Sequence, residues 1–280
     1  MPKNAFPRLA QEELLALLRP FTIMDIHKEI FEMKPFQAPG PNGFHAAFYQ
    51  QAWSVVGKSL TDMALDFFNS GALPAEVSES TVVLIPKVDH PEFVTQLRPI
   101  SLNNVSLKAI TKAITSRLKP VMRNLISPRQ SSFIPGRQTT DNVIVVQEVL
   151  HSLRKRKGKK GGLILKIDLE KAYDMLRWDF LCDTLMEVGL PSSWIRCIMY
   201  CVEQNKMCIL WNDTLSSPII PTRGVRQGDP LSPYLFVLCM ERLSHRIDAA
   251  LHSGQWKPIK LTRDGPPDDS VFAHIFPFVS

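Results

Sequence analysis

The 280-residue sequence has no apolar run of about 18 residues, the length that a helix needs to cross a bilayer. Its start, MPKNAFPRLAQEELLALLRP, also lacks the uninterrupted apolar core of a secretory signal peptide. Cysteine is scarce and odd in number, with five residues that have apolar neighbours. These absences predict a protein of a reducing compartment, without a membrane span, a membrane partner or a disulfide framework.

Several familiar enzyme motifs are missing as well. The sequence has no P-loop, no Gly-x-Ser-x-Gly and no His-Glu-x-x-His, so kinases and hydrolases that depend on these motifs receive no support. Cys197 and Cys201 stand one helical turn apart, a spacing that suits a metal ion. No second ligand pair follows at a zinc spacing, and we interpret the two residues as small buried members of an apolar helix.

The chain is basic, with a net charge of +6 and a sequence pI of about 9.1. This charge is compatible with a polyanionic partner, although many basic proteins bind nothing acidic. The densest cluster is RKRKGKK, Arg154 to Lys160. By itself this run is more typical of a solvated loop than of a contact to a phosphate backbone.

Hydrophobic periodicity predicts helices and a smaller number of strands. The predicted helices are two within 10–33, one from Phe44 to about Phe68, and then 105–126, 140–153, 178–188, 192–204 and 232–251. The β-branched run over 80–87 predicts a strand, and 206–222 predicts a hairpin with Asn212-Asp213 in its turn. Thr22 is expected to cap a helix, and Gly71 to stop one.

The segment LILKID ends at an acid, Asp168, and Tyr173 follows beside a second acid, Asp174. We predict a buried strand that ends at Asp168 and leaves its carboxylate desolvated and rigidly placed. Such a carboxylate suits Mg²⁺, and paired Mg²⁺ ions with a nucleoside triphosphate give phosphoryl transfer. The segment alone fits equally well an aspartate that caps the following turn.

Six blocks of the sequence occur together, and they are APGPNGF, VVLIPK, LRPISL, SFIPGRQTTDN, KIDLEKAYD and RGVRQGDPLSP. In their order and spacing the chain resembles, over about residues 10 to 260, the reverse transcriptases of plant non-LTR (LINE-type) retrotransposons. The resemblance implies an α+β fold with the fingers and palm of a right-hand polymerase. It also implies RNA-directed DNA synthesis, with an RNA template, a DNA primer and deoxynucleoside triphosphates as partners.

The resemblance assigns roles to the residues around the acid-aromatic segment. Asp168 resembles the first metal-binding and catalytic aspartate of the palm, which would bind Mg²⁺, or Mn²⁺ in its place. Tyr173 matches the aromatic residue beneath the sugar of the incoming nucleotide. A ring there would leave no room for a 2′-hydroxyl, whereas ordinary core packing is the alternative reading of Tyr173.

Two further pairs would contact the nucleotide. Lys87 and Arg98 resemble the fingers residues that grip the triphosphate, since Lys offers a mobile charge and Arg a planar fork. A solvated surface cation is the alternative, and it fits Lys87 better than Arg98. Gln227 and Gly228 resemble the loop beside the nascent base pair, where glycine allows a close approach of the backbone. The basic residues expected to contact nucleic acid are Arg137, Arg154, Lys155, Arg156 and Lys157.

The family's second acid pair, an aromatic-Ala-Asp-Asp hairpin, should follow RQGDPLSP within a few tens of residues. The sequence instead has LTRDGPPDDSVFAHIFPFVS, whose adjacent pair, Asp268-Asp269, follows two prolines and fits a solvated turn. Smaller departures from the usual pattern are Asn42, Leu97 and Met175. We expect little or no polymerase activity from this chain alone, because one carboxylate would have to hold two Mg²⁺ ions about 4 Å apart.

The resemblance to this family suggests four regions of the chain. They are an N-terminal helical extension over 1–79, fingers over 80–160, an incomplete palm over 161–260 and a divergent tail over 261–280, with no thumb. Two alternatives to a polymerase domain stay open: a non-catalytic remnant that binds nucleic acid, and a pseudogene product without function.

Overall fold

The computed structural model describes residues 5–155 and 164–256, and within them the chain forms ten α-helices and four strands. The helices are α1 (Gln11–Leu18), α2 (Ile23–Phe31), α3 (Ala46–Gln51), α4 (Trp53–Ser70), α5 (Ala75–Ser78), α6 (Val105–Leu125), α7 (Thr139–Lys155), α8 (Trp178–Val188), α9 (Ser192–Glu203) and α10 (Ser232–His252). The strands are β1 (Glu79–Pro86), β2 (Leu97–Asn103), β3 (Lys206–Trp211) and β4 (Thr214–Leu215). The predicted α+β class is confirmed.

The four strands form one mixed sheet in the order β2-β1-β3-β4. Strand β1 pairs antiparallel with β2 and parallel with β3, and β3 pairs antiparallel with β4. Asn212 and Asp213 connect β3 to β4 with φ angles of 46° and 59°, the sign that a tight type I′ hairpin turn needs. The predicted strand and hairpin are therefore confirmed, and the block LRPISL adds the edge strand β2.

Helix α6 lies at the centre of the core. Thirteen of its 21 residues are buried, which exceeds the single apolar stripe of a surface helix. It packs against α1, α2, α4, α5 and α10, and its fully buried side chains include Leu107, Ile110 and Leu118. The helices predicted over 105–126, 140–153, 178–188, 192–204 and 232–251 are all confirmed to within two residues at each end.

The predicted helix signals near the N-terminus are confirmed in part. Thr22 caps α2, since its Oγ1 accepts from Asp25 N–H at 3.3 Å and the Asp25 carboxylate accepts from Thr22 N–H at 2.8 Å. Gly71 ends α4 with a φ of 79°. The single helix predicted from Phe44 to Phe68 is wrong, because the chain forms two helices, α3 and α4, that break at Ala52.

The buried strand predicted to end at Asp168 is also wrong. Residues 164–169 have no regular secondary structure and are all exposed, with Leu165 at 72% and Ile167 at 67%. A strand needs a neighbour that accepts its backbone hydrogen bonds and covers alternate side chains. In the described part of the chain, the sheet is built from other segments and no strand pairs with this one.

Other predictions have mixed outcomes. Cys197 and Cys201 are buried on α9, as interpreted from the sequence. Within 5–155 and 164–256, no helix combines the length and the apolar character that crossing a bilayer requires. The tail over 261–280, which includes Asp268-Asp269, lies outside the described residues, and the four-region division of the chain stays a prediction.

We expect the central position of α6 to make it sensitive to truncation of its side chains. Leu118→Ala should lower the free energy of unfolding by about 2–5 kcal/mol, because it leaves a cavity at a fully buried position. Leu15→Ala in α1 is the matched control, since Leu15 is 61% exposed, and it should change stability by less than about 0.5 kcal/mol. Urea unfolding measures both values, and equal losses would contradict this view of the core.

Candidate nucleotide-binding site

The loop over residues 224–231 is hydrogen-bonded at its first end to the segment that follows Asp168. Gly224 N–H donates to Leu176 O at 2.7 Å, and Val225 N–H donates to Tyr173 O at 2.9 Å. Gly224 has a φ of +90°, and a Cβ there would lie 2.9 Å from the Asp174 carbonyl oxygen. A side chain at 224 would therefore separate the loop from the acid-aromatic segment.

The same loop is hydrogen-bonded further on to the edge strand β2. Ser101 N–H donates to Gln227 O at 2.8 Å. Gly228 has a φ of +106°, and a Cβ there would lie 3.1 Å from the Ser101 carbonyl oxygen. The loop thus bridges two predicted parts of the site, the Tyr173 segment and β2, through backbone contacts that require glycine.

Arg226 anchors this loop from inside the protein. Its side chain is buried, and the guanidinium donates to the carbonyl oxygens of Cys201 at 2.6 Å, Ser78 at 3.1 Å and Gln204 at 3.2 Å. These acceptors belong to the end of α9 and to the residues just before β1. A planar fork with several donors suits three carbonyls that come from different elements.

Asp229 anchors the other end of the loop. One carboxylate oxygen accepts from Leu231 N–H at 2.9 Å, and the other accepts from Asn103 Nδ2 at 3.1 Å. Burial raises the pKa of Asp229, while the Arg226 charge, the Leu231 N–H and the Lys108 charge oppose that rise. The loop between the two charged anchors presents Gln227 and Gly228.

Tyr173 lies in the core behind the loop. Its side chain is only 8% exposed and its ring contacts Phe236 of α10 with centroids 5.2 Å apart. Burial raises the pKa of the Tyr173 phenol to about 12. The structure thus gives Tyr173 the packing role that was its alternative reading, and its contact with a nucleotide sugar stays a prediction.

Lys87 and Arg98 lie on one face of the sheet. Arg98 pairs with Ile85, and Lys87 N–H donates to Gln96 O at 2.8 Å just beyond the end of β1. Because side chains alternate along a strand, Lys87 and Arg98 are diagonal neighbours with Cα atoms roughly 7–8 Å apart. Burial raises the pKa of Asp174, and the Lys171 and Lys87 charges lower it, which places Lys87 near the acid-aromatic segment.

Arg98 carries a donor that the fold does not use. Among the described residues its Nε is buried without a hydrogen-bond partner. A buried N–H of this kind is costly unless an acceptor reaches it. The Nε atoms of Arg117, Arg226 and Arg242 are buried without a partner in the same way, so this feature does not distinguish Arg98 from structural arginines.

Asp168 has no contact with the other predicted site residues among the hydrogen bonds and ion pairs of the described ranges. Its side chain is exposed, and in the described ranges no hydrogen bond or ion pair connects it to them. Nor do residues 5–155 and 164–256 contain a cluster of three or more His, Cys, Asp or Glu side chains able to hold an ion. This donor set, with one carboxylate, does not fit a centre for two Mg²⁺ ions.

The predicted nucleic-acid contacts have mixed placements. Arg137 donates to four backbone carbonyls, of Ser127, Gln130, Ile126 and Arg123, at 2.5 to 3.1 Å. Those bonds give Arg137 a structural role at the end of α6, and its template contact stays untested. Arg154 and Lys155 are exposed at the end of α7, whereas Arg156 and Lys157 lie outside the described residues.

Three residues of the site were not predicted from the sequence: Arg226, Asp229 and Asn103. Charged residues beside glycine and proline normally predict a solvated loop, so the block RGVRQGDPLSP pointed only to Gln227 and Gly228. A signal was present in Val225 and Leu231, the apolar residues on either side of RQGDP. Their presence indicates that the block is not wholly exposed.

Comparison with known proteins identifies the family to which this chain is similar. The sequence profile described as reverse transcriptase (RNA-dependent DNA polymerase) matches residues 85–262. The Transposon TX1 uncharacterized 149 kDa protein of Xenopus laevis is 29% identical over 241 residues, which are 85% of this chain and 18% of that protein. The Retrovirus-related Pol polyprotein from type-2 retrotransposable element R2DM of Drosophila melanogaster is 30% identical over 206 residues, 74% of this chain and 19% of that protein.

The chain spans about a fifth of the length of these curated relatives. Among solved structures, a chain of the Partial Cas6-RT-Cas1--Cas2 complex is similar with a TM-score of 0.43 and 15% identity. That similarity covers 84% of this chain and 35% of the other.

The anchoring role of Arg226 predicts a large effect of a change that preserves charge. Arg226→Lys should lower the free energy of unfolding by at least about 2 kcal/mol, because an ammonium does not reach three carbonyls with the geometry of the fork. Arg223→Lys, at an exposed position of the same block, is the control and should change the free energy of unfolding by less than about 0.5 kcal/mol. Similar losses of unfolding free energy for the two variants, measured by urea unfolding, would contradict the anchoring role of Arg226.

The burial of Tyr173 predicts a dependence of stability on pH. The folded pKa of about 12 lies above the ordinary value of 10.0, so the stability that the neutral phenol contributes is complete below pH 10 and is lost as the pH rises towards 12. Between about pH 9 and about pH 11, the wild type should lose more unfolding free energy than Tyr173→Phe, which has no phenol to ionise. Equal losses in urea unfolding would show that the phenol is not buried.

Proposed function

Since the chain belongs to the reverse transcriptase (RNA-dependent DNA polymerase) family, with relatives among non-LTR retrotransposon proteins, we propose that it supplies the nucleotide-facing and template-facing part of an RNA-directed DNA polymerase. One observation carries this proposal. The 224–231 loop is hydrogen-bonded both to the Tyr173 segment and to β2, the strand of Arg98. Residues predicted to contact one nucleotide are thereby coupled through the backbone.

The charges around this framework suit a deoxynucleoside triphosphate. Lys87 and Arg98 are cations on the same face of the sheet. Phosphate oxygens accept from such donors in strong, charge-assisted bonds. In this proposal Gln227 and Gly228 lie beside the nascent base pair, and Tyr173 supports the sugar through its ring edge.

Metal dependence is general in the family, and we propose Mg²⁺ as its cation here. Asp168 is the residue that would bind it. Because the described residues contain no cluster of three or more side chains able to hold a metal ion, the chain is proposed to bind RNA and nucleotide while polymerising weakly or not at all by itself.

A second candidate function is RNA binding without catalysis. The exposed position of Asp168, outside any strand, favours it, because catalytic groups are usually held rigidly by packing and hydrogen bonds. Lys87, Arg154 and Lys155 provide exposed cations for phosphate contacts. The two candidates differ in whether the chain also binds deoxynucleoside triphosphate, which only the first candidate requires.

Calorimetry of deoxynucleoside triphosphate binding by the purified 280-residue chain separates them, since only the first candidate predicts binding, and primer extension tests the activity itself. With an RNA template, a DNA primer, deoxynucleotides and Mg²⁺, we expect binding of the template-primer without sustained extension. Binding measured by anisotropy should weaken as salt rises, with a slope of log K against log salt of about −0.7 for each phosphate contact on a single strand. The matched control is Asp168→Asn, which should bind as the wild type does.

The outcomes are distinct. Sustained extension that Asp168→Asn abolishes would show an active polymerase and contradict the weak-activity part of the proposal. Absence of salt-dependent RNA binding by a folded chain would contradict the proposed function altogether.

A further inference from the structure

A cleft of about 410 Å³ lies away from the predicted nucleotide site, between the N-terminal helices and α9. It is formed by the end of α1, the α1–α2 turn, the end of α4, one residue of α6 and the start of α9. Its volume falls within the range of roughly 300–1,000 Å³ that small-ligand sites have. None of its lining residues is among those predicted for polymerisation.

The lining of this cleft combines aromatic rings with positive charge. Phe21 is stacked on Phe68 with ring centroids 3.7 Å apart, and Trp194 lies 6.1 Å from Phe21. Arg19 and Arg196 also line the cleft, and no Asp or Glu is among its lining residues, although Arg19 Nη2 is paired with the Asp25 carboxylate behind the lining at 3.4 Å. The cleft therefore suits a ligand that has both a planar apolar ring and a negative charge.

Contacts behind the cleft hold the α1–α2 turn in place. The Arg117 guanidinium lies 3.7 Å from the centroid of Phe21 and donates to Pro20 O at 2.9 Å, and it also donates to Arg19 O. Trp194 Nε1 donates to Leu17 O at 2.9 Å, which joins α1 to α9. The ring surface is consequently preformed, and a ligand would bind without ordering it first.

The positive side of the cleft is also fixed in position. Arg196 Nη2 donates to Asn69 O at 3.0 Å, which places the guanidinium against the end of α4. Ser193 lines the cleft as the second residue of α9, a 12-residue helix whose N-cap, Pro191, makes no side-chain capping bond. The first N–H groups of α9 add the positive end of its dipole beside the two arginines.

We propose that this cleft binds a nucleoside phosphate. The base would stack on Phe68, since bases stack on aromatic side chains regardless of sequence. Phe68 and the Arg117 guanidinium cover the two faces of Phe21, and Trp194 is buried, so these two rings form the apolar wall beside the base. The phosphate would be bound by Arg19 and Arg196. The nucleotide comes either from an unstacked position of an RNA strand, which rests on the proposed function, or from free nucleotide, and both sources present the same chemistry.

Two probes and one matched pair of variants test the proposal. The probes are adenosine monophosphate, followed by calorimetry, and a fluorescein-labelled oligoadenylate RNA, followed by anisotropy. The cleft variant is Arg19→Gln with Arg196→Gln. The control is Arg8→Gln with Arg246→Gln, which removes the same charge from exposed arginines outside the cleft.

We expect the cleft variant to bind at least one probe roughly tenfold or more weakly than the wild type. The control should bind both probes within about twofold of the wild-type affinity. For the RNA, the magnitude of the slope of log K against log salt should fall by about 0.7, because both arginines bind one phosphate and each single-strand phosphate contact contributes about 0.7. Phe68→Leu, which keeps an apolar side chain without the ring, should weaken the same probe roughly fivefold or more. Thermal unfolding checks that each variant is folded.

The pattern of results separates this proposal from the proposed function. If the cleft variant loses only RNA binding, the ligand is a nucleotide of an RNA strand. If it loses only adenosine monophosphate binding, the ligand is a free nucleotide. A wild-type chain that binds adenosine monophosphate in the cleft but no RNA would contradict the proposed function and leave the cleft site standing. Equal binding of both probes by the cleft variant and the control would overturn the cleft site.

Discussion

The buried guanidinium of Arg226 is the interaction on which the predicted nucleotide site depends. A charge inside the protein is costly unless its donors and its field are compensated. The two Nη atoms of Arg226 donate to three carbonyls at the end of α9 and just before β1, and the neighbouring Asp229 supplies the opposite charge, whereas Nε has no partner among the described residues. Because those partners come from different parts of the chain, the 224–231 loop has one position relative to the sheet.

That position has consequences on both sides of the loop. Gly224 allows the loop to approach the backbone at Asp174, and Gly228 allows it to approach β2 at Ser101. The acid-aromatic segment and the strand of Arg98 are therefore both joined to the loop by backbone hydrogen bonds. Asp168, the predicted metal ligand, is by contrast exposed and outside regular structure.

Much of the fold could be read from local pattern. The periodicity of α6, the capping residue Thr22 and the Asn212-Asp213 turn each depend on neighbours in sequence, and each was predicted correctly. The strand predicted to end at Asp168 was wrong, because an apolar run becomes a strand only when another strand pairs with it. Pairing is a property of the whole sheet, and no local pattern contains it.

The sequence by itself determined the family, the helices and the blocks from which the candidate site is drawn. Tertiary structure alone decided which side chains of those blocks are buried. Arg226 and Asp229 resemble solvated loop charges in the sequence, and Arg137 resembles a phosphate contact, yet all three are committed to partners within the protein. The physical reason is that burial and hydrogen-bond partners of a polar side chain depend on residues distant in the chain.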